Sequence, residues 1–425
     1  MPGLPRLAAL EDWHISGLDV RSAYLYGKLE EEIYMEQPEG FRKPGTEHKV
    51  FKLKRALYGL KQAGLAWWRT LSESMTLMGF KRLSNDAGIY IYKRHSDGQL
   101  VVVIVYVDDA LFCGKSKKLV AELKARFMKK WECRDLGDAK EFLRMRIVRK
   151  GRSIHLDQRA YLEKVLERCG MTNARPTPTP LPAGYIPAPN KGQAKPELRS
   201  RFQTVIGSLL YLMLGTRPDL AFAVTKLAQF ASNPSDDHLN RALYICRYLV
   251  GTKDYSLVYN GASQAGLIAG TDSDWASDPH SRRSQTGFFL KLANGIFSWQ
   301  SRAQKTIAHS STEAEYMAMS DCSRQVVWVR NLLAELGYHV SHIPLSGDNQ
   351  GSIFIASNPV TEPRSKHIDI RYHYIREVHD KGIVDVFYID GNNNPADIFT
   401  KNLGAVKFLK FRSQLGLHFR ESSAA

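Results

Sequence analysis

Cysteine is scarce in this sequence of 425 residues, and the few cysteines are scattered. They number five, an odd count, and none forms a CxxC pair, so neither a disulfide framework nor a zinc site is indicated. Long apolar runs are lacking too, and residues 1–12 contain no hydrophobic signal region. We therefore expect an intracellular, soluble protein with no membrane partner. The sequence does not decide between a cytoplasmic particle and the nucleus.

Acidic residues are fewer than basic ones. Lysine and arginine total 59 against 43 aspartates and glutamates, which gives a formal charge of +16. Such an excess favours a polyanionic partner, nucleic acid or an anionic membrane surface, and a merely basic protein is the alternative. A hydrophobic content of 44% and a charged content of 24% are typical of globular proteins, and the length suffices for two or three domains.

The stretch 100–109 is the strongest local signal. Its first eight residues, LVVVIVYV, are apolar or aromatic and mostly β-branched, which predicts a strand buried on both faces. Asp108 and Asp109 close it, and two adjacent carboxylates need a compensating cation because they repel each other and lose hydration. A plain hairpin turn is the alternative. Asp19 offers a third carboxylate, and three carboxylates from two strands can hold a pair of Mg²⁺ ions.

Several blocks resemble a known family. Tyr106–Asp109 resembles the YxDD box of reverse transcriptases, and the surroundings of Asp19 resemble their first palm motif. Residues 31–41, EEIYMEQPEGF, and 56–63, ALYGLKQA, resemble signatures of the copia-type LTR retrotransposon polyprotein. The resemblance implies a reverse transcriptase palm whose catalytic and metal-binding acids are Asp19, Asp108 and Asp109.

The same resemblance implies how a nucleotide would be bound. Ser22 and Ala23 match positions whose backbone faces the triphosphate, and Gln62 matches a position beside the nascent base pair. Tyr24 matches an aromatic gate that selects deoxynucleotides, with a core tyrosine as the alternative. The family usually has glycine at the position of Arg144, so the arginine conflicts with a tight turn there. The implied partners are an RNA template, a DNA primer and dNTPs.

The chain is expected to be a multidomain α+β and α/β protein. From residue 265, three strands, a long helix and then alternating strands and helices fit the ribonuclease H fold, with an Asn-Gly hairpin turn at 294–295. Because the sequence starts shortly before Asp19, we expect the C-terminal portion of a polyprotein with its fingers strands largely missing. The expected parts are a palm (1–175), a proline-rich linker (176–197), a helical thumb or connection (198–262), a ribonuclease H-like domain (263–405) and a basic tail (406–425).

Four acids at the ends of predicted elements resemble the ribonuclease H set. Asp272 closes the first strand, Glu315 lies in the first turns of the long helix, Asp348 follows the fourth strand, and Asp397 opens the last helix. The resemblance implies that all four are catalytic and bind Mg²⁺, with Mn²⁺ as the alternative. Metal-activated water would then cut the RNA strand of an RNA–DNA hybrid.

Other interpretations of these acids stay open. Asp274 competes with Asp272 for the first role. Glu313 competes with Glu315, although a negative charge there also favours the helix N-terminus. Asp348 is a candidate cap for the helix that follows it.

Three hypotheses about function follow. The first is a reverse transcriptase with ribonuclease H, the second a truncated remnant with only ribonuclease H activity, and the third a catalytically silent nucleic-acid-binding relic. With the fingers expected to be missing, hybrid cleavage is expected to be easier to detect than primer extension. Many ribonucleases H have a histidine shortly before the last aspartate, whereas residues 390–394 have none. His367 and His373 fall on a predicted helix and are expected to be structural.

Overall fold

The computed structural model describes residues 4–263, 265–358 and 370–419. The chain folds as two compact units, Trp13–Leu143 and a larger unit made of Met1–Asp12 with Arg144–Ala425. No helix within the described residues is both long and apolar enough to span a membrane.

The smaller unit is built on a six-stranded antiparallel sheet. Helix α1 (Leu4–Leu10) precedes this unit in the chain and belongs to the larger unit. The elements of the smaller unit are β1 (His14–Val20), a 3-10 helix (Ala23–Tyr26), β2 (Tyr34–Glu36), β3 (Val50–Lys52), α2 (Ala63–Leu77), β4 (Lys81–Arg82), β5 (Ile89–Lys93), β6 (Leu100–Tyr106), β7 (Asp109–Gly114), α3 (Lys117–Lys130), β8 (Cys133–Asp138) and β9 (Glu141–Phe142). The strand order in the six-stranded sheet is β4-β5-β6-β7-β1-β8.

Burial in this unit follows the sequence pattern. Residues 101–105 of β6 are all buried, as a strand covered on both faces requires. Helix α3 begins where its cap predicts, because the Ser116 hydroxyl accepts a hydrogen bond from the Leu119 backbone N–H at 3.2 Å. Its apolar side, including Leu123 and Phe127, joins the same buried cluster as Trp67 of α2.

The larger unit contains two sheets and most of the helices. From Arg144 on, the unit begins with β10 (Met145–Lys150), β11 (Ser153–Asp157) and α4 (Arg159–Arg168). Three helices follow, in the region where a helical thumb or connection is expected. The remaining elements are α5 (Pro196–Gly215), α6 (Ala221–Ala228), α7 (Asp236–Gly251), β12 (Tyr255–Asn260), β13 (Ile268–Asp274), β14 (Gln285–Leu292), β15 (Gly295–Ala303), α8 (Ser311–Glu335), β16 (Ile343–Gly347), α9 (Gln350–Ser357), α10 (Tyr374–Asp380), β17 (Val384–Tyr388), α11 (Ala405–Gln414) and β18 (Leu417–Phe419).

The sheet that carries the nuclease candidates has the strand order β15-β14-β13-β16-β17. Its first three strands are antiparallel, and β16 and β17 run parallel to β13. The predicted Asn-Gly hairpin is present, because Ala293 and Asn294 adopt left-handed φ angles of 52° and 61° between β14 and β15. Three antiparallel strands, a long helix and two strands parallel to β13 thus follow one another as the sequence predicts.

Two segments differ from their description as linker and tail. Within 176–197, Thr179 and Leu181 are buried, and the Tyr185 carbonyl accepts a hydrogen bond from the Asn402 side chain at 2.6 Å. The described part of 406–425 forms most of α11 and all of β18, and β18 pairs with β12. Both segments bury apolar side chains, so they belong to the folded unit.

The turn at Arg144 forms in spite of the arginine. Leu143 and Arg144 have φ angles of 50° and 56°, the left-handed region that favours glycine. The tight turn is therefore kept, with a strained backbone in place of a glycine. Of the two histidines assigned to a helix, His367 lies outside the described residues. His373 ends a 3-10 helix (Ile370–His373) and contacts the Tyr316 hydroxyl at 3.0 Å through Nδ1.

Candidate active sites

Two of the three acids expected in the palm lie opposite each other on paired strands, and the third lies in the adjoining turn. Asp19 of β1 faces Asp109 of β7 across the sheet, and Asp108 occupies the turn just before β7. The Val20 backbone N–H donates to the Asp108 carbonyl at 2.8 Å, which ties this turn to the end of β1. Burial raises the pKa of Asp109, and the charges of Asp108, Asp19 and Glu141 raise it further. The pairing therefore gathers negative charge that a cation would stabilise.

The turn that presents Asp108 is held from outside the hairpin. Val107 has a φ of 57°, an unfavourable conformation for a β-branched residue. The buried Trp67 indole of α2 donates a hydrogen bond to the Val107 carbonyl at 2.6 Å. Sequence reasoning missed this role of Trp67, since nothing local connects a helix to a turn forty residues away.

The nucleotide-binding candidates fall into two groups. Ser22 has a left-handed φ of 52°, and Ala23 and Tyr24 follow it in the 3-10 helix after β1. The half-buried Tyr24 packs on Tyr58, with ring centroids 4.6 Å apart. Burial raises the pKa of Tyr58, as does the charge of Asp108, so this aromatic pair adjoins the palm acids. Gln62 instead occupies the N-cap position of α2 and lines a surface cavity.

Three of the four acids expected to form a nuclease site lie together beside the sheet β15-β14-β13-β16-β17. Asp272 lies within β13, which continues two residues beyond it, and Asp348 directly follows β16. Asp397 lies in a 3-10 helix (Pro395–Phe399). The expectation that it opens the last helix is therefore wrong, because α11 begins separately at Ala405. One carboxylate oxygen from each acid lies within 4.8 Å of the others, since β13 and β16 are parallel neighbours.

Glu315 completes this group from α8. Its Oε1 accepts a hydrogen bond from the Ser273 backbone N–H at 2.9 Å. Its Oε2 is buried and accepts no hydrogen bond among the residues that the structure describes. Burial raises the pKa of Glu315 well above its ordinary range, and Asp272 and Asp348 add to the shift.

The competing acids have other surroundings. Glu313 accepts a hydrogen bond from the His309 backbone N–H at 2.7 Å, so it stabilises the N-terminus of α8. The cap of α9 is Asn349, whose side chain accepts from the Ser352 N–H at 2.8 Å. Asp348 is thus not needed as a cap. Asp274 is half-buried beyond Asp272, and burial raises its pKa while nearby lysines oppose the rise.

Two lysines and a threonine bind these acids, and sequence reasoning gave none of them a role. The Thr400 hydroxyl donates to Asp272, and the Lys401 ammonium lies 3.3 Å from the same carboxylate. Lys401 also donates to Asp397 at 2.9 Å, and Lys407 donates to the other oxygen of Asp397 at 2.5 Å. Lys401 follows Asp397 by four residues, a spacing that brings side chains together on a helix and could have identified it. Lys407 lies ten residues after Asp397, a spacing that predicts no contact between them.

The donor set fits a hard divalent cation. Every candidate ligand is a carboxylate oxygen, which is what Mg²⁺ prefers, and one buried oxygen of Glu315 has no hydrogen-bond partner within the described part of the chain. Burial raises the pKa of Asp272 to about 7, with Lys401 opposing the rise and Asp397 and Asp348 adding to it. Among the described residues, only Asp272, Asp348 and Asp397 bring three candidate ligand atoms within 4.8 Å.

Comparison with known proteins supports the sequence resemblance. A family model described as reverse transcriptase (RNA-dependent DNA polymerase) matches residues 4–183. The chain is 40% identical over 420 residues to the retrovirus-related Pol polyprotein from transposon TNT 1-94 of Nicotiana tabacum. This match covers 97% of this chain and 31% of the tobacco protein. It is 30% identical over 315 residues to a transposon Ty5-1 protein of Saccharomyces cerevisiae, covering 73% of this chain and all of that protein. Among solved structures, ribonuclease H1 of Halobacterium salinarum is 17% identical, and the match covers 32% of this chain and 95% of that one with a TM-score of 0.23.

These matches define a retroelement protein with a reverse transcriptase region. The chain belongs to the family of copia-type retrotransposon Pol polyproteins. It spans less than a third of the length of the tobacco relative and of a second plant relative, from transposon RE2 of Arabidopsis thaliana.

Proposed function

We propose that this chain carries two phosphoryl-transfer centres of a retrotransposon. One is an RNA-directed DNA polymerase in the unit Trp13–Leu143, and the other is an RNA–DNA hybrid ribonuclease in the larger unit. The observation that carries the proposal is the convergence of Asp272, Asp348 and Asp397 within 4.8 Å. Family membership and the paired palm acids support the polymerase half.

In the nuclease centre, Asp272, Asp348 and Asp397 would hold the metal, with the orphaned oxygen of Glu315 as a further ligand. Bound there, two Mg²⁺ ions would activate the attacking water and stabilise the leaving oxygen. The chain itself fixes the ligands, because the Thr400 hydroxyl orients Asp272 and a backbone N–H orients Glu315. Contacts to the 2′-hydroxyls would select the RNA strand of the hybrid.

In the polymerase centre, Asp19, Asp108 and Asp109 would be the metal ligands and Mg²⁺ the cofactor. The strand pairing presents Asp19 and Asp109 side by side. Tyr24 would limit the space under the sugar, so that dNTPs enter and ribonucleotides clash. The backbone at Ser22 and Ala23 would face the triphosphate, and Gln62 would lie near the base pair formed between an RNA template and a DNA primer.

A chain in which only the nuclease works is the second candidate. The observation that favours it is that the palm acids, unlike the nuclease acids, do not bring three ligand atoms within 4.8 Å among the described residues. Measuring both activities on the same preparation decides between the two candidates.

The two centres can be tested against each other. Asp348→Asn should abolish Mg²⁺-dependent cleavage of a labelled RNA–DNA hybrid while leaving primer extension and hybrid binding intact. Asp109→Asn should do the reverse, so each variant is the control for the folding of the other. Exposed Asp385 on β17 offers a matched surface control, Asp385→Asn. Cleavage that persists in Asp348→Asn would show that the cluster is not the nuclease centre.

The proposed gate has its own test. Tyr24→Ala should raise ribonucleotide incorporation during primer extension, because removing the ring opens space beneath the sugar. Tyr34→Ala, which removes an exposed ring on β2, is the control. An unchanged sugar preference in Tyr24→Ala would assign Tyr24 to packing against Tyr58.

A further inference from the structure

The ammonium of Lys401 occupies a bridging position between two of the nuclease carboxylates. It donates to Asp397 Oδ1 at 2.9 Å and lies 3.3 Å from Asp272 Oδ2 and 3.4 Å from Asp272 Oδ1. The two carboxylates are almost fully buried, whereas about a third of the Lys401 side chain is exposed. The lysine therefore reaches the cluster from the side that is open to solvent.

The neighbouring Lys407 is placed differently. Its ammonium contacts a single acid, Asp397, and is held on the other side by the Gly391 carbonyl at 2.9 Å. It uses Oδ2 of Asp397, while Lys401 uses Oδ1. Lys407 thus fixes the orientation of one ligand, whereas Lys401 lies between two ligands.

Electrostatics explains why a cation is needed at this place. Three carboxylates and Glu315 meet in a poorly hydrated site, and like charges so close cannot all stay ionised without a positive partner. An ammonium supplies one charge and three hydrogen bonds on a flexible stem. A divalent ion would use the same oxygen lone pairs, so the two cations compete for Asp272 and Asp397.

We propose that Lys401 is a built-in placeholder for the metal: it bridges Asp272 and Asp397 in the metal-free site and withdraws to solvent when a divalent ion binds. The inference rests on the proposed metal site and adds a residue that sets its affinity. Such a lysine stabilises the metal-free fold and weakens metal binding, because the ion must first displace an ammonium. Binding of the metal would then require movement of the Lys401 side chain and not of the backbone.

The full chain offers a direct readout that does not depend on cleavage. Amine-reactive labelling followed by mass spectrometry measures the accessibility of each lysine. We expect Lys401 to be protected in EDTA and its labelling to rise severalfold on titration with Mn²⁺. Lys410 is the internal control, because it hydrogen-bonds to Asn392 and Asn393 in the adjacent loop and touches no acid of the cluster. Its labelling should stay constant.

Substitution supplies the second arm. In Lys401→Met, the Mg²⁺ concentration that gives half-maximal hybrid cleavage should fall by at least about fivefold, since no ammonium has to be displaced. The melting temperature in EDTA should fall as well, and Mg²⁺ should restore most of the difference. Lys410→Met removes the same charge nearby and should match the wild type in both measurements. Lys401→Gln replaces Lys401→Met if the latter fails to fold.

The outcomes separate this inference from the proposed function. Constant labelling of Lys401 across the Mn²⁺ titration, or a half-maximal Mg²⁺ concentration that is unchanged or higher in Lys401→Met, would overturn the placeholder role and leave the nuclease proposal standing. If Mn²⁺ exposes Lys401 in a chain that cleaves no hybrid, the metal site and its placeholder hold and the proposed hydrolysis fails.

Discussion

Asp219→Ala is expected to be among the most destabilising substitutions in the larger unit. Asp219 and Arg217 are paired in a short 3-10 segment, and their side chains are only 1% and 3% exposed. Arg217 donates to both carboxylate oxygens, at 3.0 and 2.7 Å, and the Tyr248 hydroxyl donates a third hydrogen bond at 2.5 Å. Removing the carboxylate leaves a buried guanidinium that still donates to Thr252 and lies over the Tyr248 ring but has lost its negative partner.

The magnitude follows from that burial. Breaking a buried ion pair by removing one partner costs about 3–5 kcal/mol, because the other charge stays in the interior uncompensated. The exposed pair Glu377–Lys381 on α10 is the matched comparison, with side chains 56% and 62% exposed. Glu377→Ala should cost about 0.5 kcal/mol or less. In urea, with a slope of about 3 kcal/mol per M, the two changes predict midpoint shifts of roughly 1 M or more and roughly 0.2 M.

The assay is urea unfolding of the full chain, followed on the transition of the larger unit, since a chain of two units need not unfold in one step. The double variant Arg217→Met with Asp219→Leu should recover most of the loss, because replacing both partners by apolar residues removes the stranded charge. A cost for Asp219→Ala as small as that for Glu377→Ala would refute the reasoning from burial.

Other expected outcomes follow from single contacts. Trp67→Phe removes the hydrogen bond to the Val107 carbonyl, so primer extension should fall while hybrid cleavage in the same preparation is unchanged. Arg144→Gly relieves a left-handed residue and should raise the unfolding free energy by about 1 kcal/mol in a thermal melt. Burial lowers the pKa of His238, whose Nδ1 accepts a hydrogen bond from the Ser235 N–H. Because the unfolded chain then binds the proton more tightly than the folded one, the free energy of unfolding should fall as the pH drops below about 6.5. His238→Gln should flatten this pH profile. With a charge of +16, the logarithm of hybrid affinity should fall linearly with the logarithm of salt concentration, and a flat binding curve would rule out an electrostatic surface.

Sequence reasoning predicted best what is encoded locally. The buried β6 strand and the turn at Asn294 each depend on a few adjacent residues, and the structure contains both. From residue 265 the sequence also predicted three strands, a long helix and then further strands and helices, and the structure contains that succession. Motif resemblance predicted which acids belong to the site. In the structure, the parallel pairing of β13 and β16 brings Asp272 and Asp348 close together.

What the sequence did not reveal depends on contacts between distant segments. Trp67 supports the turn at Val107 across forty positions, and no local pattern marks an indole as a donor to a carbonyl. The proline content of residues 176–197 favours an extended chain but does not say whether that chain docks. Here the Tyr185 carbonyl receives a hydrogen bond from Asn402, which directly follows Lys401 of the nuclease cluster.

The C-terminal segment shows why such contacts matter for function. Most of helix α11 lies in the segment predicted to be a basic tail, yet its Arg412 is buried and donates to the Tyr248 and Tyr255 hydroxyls at 2.9 Å each. The same Tyr248 hydroxyl donates to Asp219, so α11 is anchored in the buried network of the helical block. One and a half turns earlier, α11 presents Lys407 to Asp397. Helix α7, through Tyr248, thus helps to position a helix whose Lys407 holds Asp397, an acid of the proposed nuclease centre.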